Sequence, residues 1–96
     1  MGATTFGCTM RGSTAKDAFS AAREDAQWKH GNEGYTGTVA EKSKFTMITP
    51  PEGMDPFQYA DQLLDEGDPR VDDKWGPAGC VKVGPDAYYF FGWASC

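Results

Sequence analysis

The sequence predicts an α+β domain: two amphipathic helices on one face of a mostly antiparallel sheet of four to five strands. Two stretches carry apolar residues at three- and four-residue spacing, the period of a helix. Others alternate apolar and polar residues, the period of a half-buried strand. Turns rich in glycine and proline separate them, which sets the order β-α-β(β)-α-β-β. With hairpins in that order, helices segregate to one side of an antiparallel sheet.

Residues 4–10 form the first strand, with Phe6, Cys8 and Met10 on one face and Thr5, Gly7 and Thr9 on the other. Gly12 and Ser13 break it. Ser13 or Thr14 caps the first helix, and Asp17 stands three residues after Thr14, close to a capping box. Ala15, Ala18, Phe19, Ala22 and Ala26 form its apolar stripe, narrow enough to sit close to a sheet. Gly31 or Asn32 ends it, with Lys29 and His30 suited to its negative end. Residues 35–48 read as strand. Within them, the run Glu41-Lys42-Ser43-Lys44 is either a tight hairpin turn or the exposed middle of one bent strand. The hairpin is preferred, although no Asn-Gly or Asp-Gly marks it.

Pro50-Pro51-Glu52-Gly53 interrupts the chain. Asp55 caps the second helix and Pro56 takes its first position, where the missing N–H costs nothing. Phe57, Ala60 and Leu64, with Leu63 beside them, form its stripe, and Gly67 and Pro69 stop it. Residues 68–77 are a loop. Residues 79–83 and 88–94 are strands joined by Gly84-Pro85-Asp86-Ala87, a turn with proline in second place. The last strand has Tyr88 and Phe90 on one face, and Tyr89, Phe91 and Trp93 on the other. It is therefore either central in the sheet or covers a partner site.

The chain has 96 residues, enough for one domain, 1–96, with its own core. With 40% apolar residues and three Trp, four Tyr and six Phe, it has ample material to bury. Cys8, Cys80 and Cys96 are far apart, and Cys8 and Cys80 read as small buried hydrophobes rather than a disulfide pair or a nucleophile. The first eleven residues show no signal-peptide pattern, and the longest apolar run, 87–91, is too short to span a bilayer. The expected location is the cytoplasm.

Net charge is −5, and it is concentrated. Residues 1–50 hold six basic and five acidic side chains, whereas 51–74 hold eight acidic ones against Arg70 and Lys74. Such a chain repels nucleic acid and suits a partner with a basic surface. The expected partner contacts are Asp68, Asp72, Asp73 and Trp75 in the acidic loop, with Tyr89 and Trp93 of the last strand. A homodimer through the last hairpin is a further possibility.

A second candidate is the junction His30-Gly31-Asn32-Glu33-Gly34-Tyr35-Thr36-Gly37-Thr38. If the protein is an enzyme, His30, Glu33, Tyr35 and Glu41 would supply acid–base chemistry. Tyr35, Thr36 and Thr38 would bind a ligand through hydroxyls and a close backbone. The plainer reading, a helix cap and a glycine-rich turn, is preferred. The run matches neither a P-loop nor a dinucleotide fingerprint. No metal-ligand spacing and no cofactor motif occur.

The run Gly34-Tyr35-Thr36-Gly37-Thr38-Val39-Ala40-Glu41-Lys42 and the ending Tyr89-Phe90-Phe91-Gly92-Trp93-Ala94 are similar to small uncharacterised proteins of actinobacterial phages. The resemblance implies a context, a small protein that binds and redirects a host protein, and assigns no catalytic residue.

Overall fold

The computed structural model describes residues 3–30, 39, 42–73 and 76–95. They form β1 (Ala3–Arg11), α1 (Ala15–His30), β2 (Phe45–Met47), α2 (Pro56–Glu66), β3 (Ala78–Gly84) and β4 (Ala87–Ser95). The fold is α+β, with a mostly antiparallel sheet of four strands in the order β1-β4-β3-β2. Only the β2–β3 pairing is parallel.

Local chemistry starts and stops these elements. Thr14 Oγ1 accepts from the Asp17 backbone N–H at 3.1 Å, and the Ser13 hydroxyl donates to the Asp17 carboxylate at 2.7 Å. At α2, Asp55 Oδ1 accepts from the Phe57 N–H at 3.0 Å, with Pro56 at the first position. Gly67 closes that helix in the left-handed region, φ 68°, which glycine adopts without a Cβ penalty.

The helices divide between the two faces of the sheet instead of sharing one. Ala18, Phe19, Ala22 and Ala26 of α1 pack on Cys80, Tyr88 and Phe90, with Phe6, Cys8, Met10 and Phe45 around them. Ala60 and Leu63 of α2 pack on Val81 and Phe91, with Ile48 and Val71 beside them. Neighbouring strand residues point to opposite faces, so Cys80 with Phe90, and Val81 with Phe91, define two cores. Topology gives the reason. The pairings make β1, β2 and β3 mutually parallel. The β1-α1-β2 connection crosses the sheet one way, and β2-α2-β3 steps back the other way. Crossovers of the same right hand, travelling in opposite directions, leave their helices on opposite sides.

The aromatic last strand follows from this. β4 is paired on both edges, by β1 and β3, and Phe90 and Phe91 are both fully buried. Its rings serve two cores at once. The sheet's outer strands are β1 and β2, and β2 pairs with β3 over Ala78–Cys80.

Residues 42–44 depart from expectation. Lys42, read from sequence as part of a polar turn or exposed strand, is 1% exposed. Its Nζ donates to the carbonyls of Gly76 at 2.9 Å and Asp73 at 3.3 Å. Charge-assisted bonds of this kind let a lysine be buried. β2 follows directly, held by Ala78 N–H to the Lys44 carbonyl and Ile48 N–H to the Cys80 carbonyl. Glu41 and residues 35–38 and 40 lie outside the described residues, so the hairpin expected there does too.

Candidate functional site

The acidic segment becomes α2 and the loop that returns the chain to β3. The stripe that buries Ala60 and Leu63 turns Asp61, Asp65 and Glu66 to solvent, as helical spacing requires. α2 lies over β3 and β4. The same surface of β1 stays open, with Thr5 and Thr9 exposed.

Aromatic side chains line the step between helix and open strand. Phe57, on the first turn of α2, is 42% exposed and meets Tyr89 edge to face, with centroids 4.8 Å apart. Tyr89 stacks on Phe91 at 5.8 Å and reaches across β1, where a Cβ on Gly7 would land on its hydroxyl. Glycine at that position admits the ring. Burial, and then the nearby Asp61 carboxylate, push the Tyr89 hydroxyl's pKa up, so it stays a neutral donor. Trp93, half-buried, lies two residues beyond Phe91 on the same face and opposite Thr5. A Cβ at Gly79 would strike both Phe91 and Val71, so loop 68–73 reaches the same end of the sheet.

The three acidic residues expected as contacts divide. Asp68 is half-buried and held by Arg70, whose Nε and Nη2 donate to its two oxygens at 2.9 and 3.0 Å. Asp68 also accepts the Arg70 backbone N–H at 2.9 Å. These bonds lower its pKa from 3.8 to about 2. Asp73 is exposed, but its carbonyl is held by Lys42. Asp72 stands exposed. Thus Asp72 is exposed directly after Val71, which packs in the α2-side core with Tyr89, while Asp68 and Asp73 are bound into the loop. Trp75, Glu33, Tyr35, Thr36, Thr38 and Glu41 lie outside the described residues; His30 is the last residue of α1.

Asp68 yields a pH prediction. A carboxylate whose folded pKa lies below its unfolded value adds stability above the unfolded pKa and loses it as pH falls. The window here runs from about pH 4 down to about 2. Asp68→Asn should flatten the stability–pH curve in that window and leave its shape at pH 5–7 unchanged, as read by urea unfolding.

The sequence reading missed Phe57 and Asp61 as surface features. Their spacing of four on α2 was the available signal, since it places them on one side of the helix. It also missed Trp28, which is 90% exposed on α1, off the alanine stripe.

Cys8 and Cys80 are poorly suited to act as nucleophiles. Burial raises the pKa of Cys80 to about 12, and burial with the Asp25 charge raises that of Cys8 to about 11. A thiol is nucleophilic only as thiolate. Cys8 and Cys80 should therefore label slowly with a disulfide reagent at pH 8 in the native state and rapidly in urea, with mass spectrometry locating the adducts. Fast native labelling of Cys80 would contradict this placement.

Among the described residues, no group of three His, Cys, Asp or Glu side chains is placed to hold a metal ion, and no helix is long and apolar enough to cross a membrane. No family model, curated protein or solved structure matches the chain.

Proposed function

We propose that the protein is a non-enzymatic binding module that holds a protein partner with a basic surface against its α2 face. The observation that carries this is the arrangement of exposed Asp61, Asp65 and Asp72 beside the partly open rings of Phe57, Tyr89 and Trp93. The nearby Arg70 is already paired with Asp68, so it does not neutralise them. Exposed carboxylates steer a cationic partner toward the face, and amphipathic rings with few torsions provide anchoring area. The resemblance to actinobacterial phage proteins supplies the setting: the partner is a host protein, met in the host cytoplasm and redirected by binding.

The test is capture from an actinobacterial lysate by the wild-type protein and by an Asp61→Lys, Asp65→Lys, Asp72→Lys variant. These positions are exposed, so the variant should unfold at the wild-type temperature. The wild type is expected to retain a partner that high salt releases, and the variant to bind it at least about tenfold more weakly. A partner retained equally by both proteins would show that the acidic face is not the docking surface.

A further inference from the structure

The opposite side of the sheet carries a feature of opposite charge. Where α1 meets β2, a cleft of about 330 Å³ is lined by Lys16, Ser20 and Arg23 from the helix and by Ser43, Lys44 and Phe45 from the strand side. Lys16, Ser20 and Arg23 fall at helical spacing, so one side of α1 presents all three. Ser43 and Lys44 are exposed, and backbone pairing of Lys44 with Ala78 fixes their position across from the helix. No carboxylate lines the cleft among the described residues.

Three cations lining one cleft are unexpected in a chain of net charge −5. Lys29 is paired with Asp25 at 3.1 Å and Arg70 with Asp68 at 2.9 Å. Arg23, by contrast, is half-buried, and its Nε is shut off from solvent without a hydrogen-bond acceptor. A guanidinium nitrogen shut off from solvent with its donor unmet is costly, and an anion beside it would offset that cost. Three converging charges call for more than one negative charge, and hydroxyls of Ser20 and Ser43 add donors at the rim. That is the chemistry of a phosphate or diphosphate, with arginine offering its paired donors.

The walls add a second requirement. Phe45 packs on Phe19 at 4.9 Å and on Phe90 at 5.8 Å, which fixes its ring while part of it remains exposed in the cleft. A fixed aromatic surface beside a cationic rim suits a flat ring joined to the anion. The volume falls within the range of small-molecule sites, and the acidity of the rest of the chain disfavours a long polyanion.

We propose that this cleft binds a small organic phosphate bearing a flat ring, of nucleoside-diphosphate size, between α1 and β2. The site is separate from the α2 face and does not depend on its role.

Isothermal titration of the full chain with adenosine diphosphate tests it, with adenosine as the uncharged probe. The diphosphate is expected to bind one to one and to weaken as salt is raised, while adenosine at the same concentrations gives no binding. Lys16→Gln with Lys44→Gln, both exposed positions, should leave the unfolding temperature unchanged and weaken diphosphate binding at least about tenfold. Arg23→Lys, which keeps the charge and loses the fork, should weaken it also. Absence of diphosphate binding at millimolar concentration would overturn the proposal. So would equal binding of adenosine, or undiminished diphosphate binding by the folded double variant.

Discussion

Truncating Phe91 to alanine is expected to cost about 3–5 kcal/mol, and truncating Phe90 to cost about as much. Both side chains are fully buried, yet they serve different cores. Phe90 meets Phe19 of α1 at a centroid distance of 5.4 Å, and Phe91 lies in the cluster with Ala60 and Leu63 of α2. Each truncation leaves a cavity under one helix while the other core stays filled. A domain of this size holds roughly 5–15 kcal/mol in total, so each alanine variant takes a large share of it. Leucine at either position retains most of the apolar volume and keeps the protein measurable by urea unfolding. A sheet covered on one face only would give a different result: one of the two substitutions would be nearly silent.

The second large effect is expected at Lys42. Lys42→Ala removes a buried four-carbon stem and a charged donor to the Asp73 and Gly76 carbonyls. Stem burial contributes about 1.5–3 kcal/mol, and losing hydrogen bonds from a charged donor to part-buried carbonyls costs about 1.5–3 kcal/mol. The desolvation of the ammonium, regained on its removal, offsets part of this, leaving an expected loss of about 3 kcal/mol. Lys42→Met restores the stem alone and should recover about half. Both variants should also speed amide exchange at Gly76, whose N–H donates to the Asp73 carbonyl at 2.9 Å. Loss of stability without that local change would mean the lysine supports the core but not the loop.

Much of the fold was legible because its signals are local. Asp55-Pro56 and Gly67 bound α2 through capping chemistry that needs no tertiary context. The alanine stripe of α1 and the turn Gly84-Pro85-Asp86-Ala87 are equally self-contained. The placement of the helices was not legible in the same way. Alternation shows that β4 has two apolar faces, but which helix covers which face depends on the direction of each crossover, a property of the whole sheet. The ring pattern at 88–93 nonetheless held the clue, since only a central strand between two layers buries both Phe90 and Phe91.

Charge was read correctly as a total and incompletely as a surface. The pairing of Asp68 with Arg70 follows from two residues of spacing within a turn, and the burial of Lys42 depends on a loop more than thirty residues away. The cleft at Lys16, Arg23 and Lys44 joins a helix stripe to a strand entry, so no single segment announces it.

The central functional claim is that a partner docks on the α2 face. Amide hydrogen exchange on the captured complex tests it most directly. The expected result is slowed exchange at 57–65 and 68–73 and no change along α1. Protection centred on Trp28, with 57–73 exchanging as in the free protein, would contradict it.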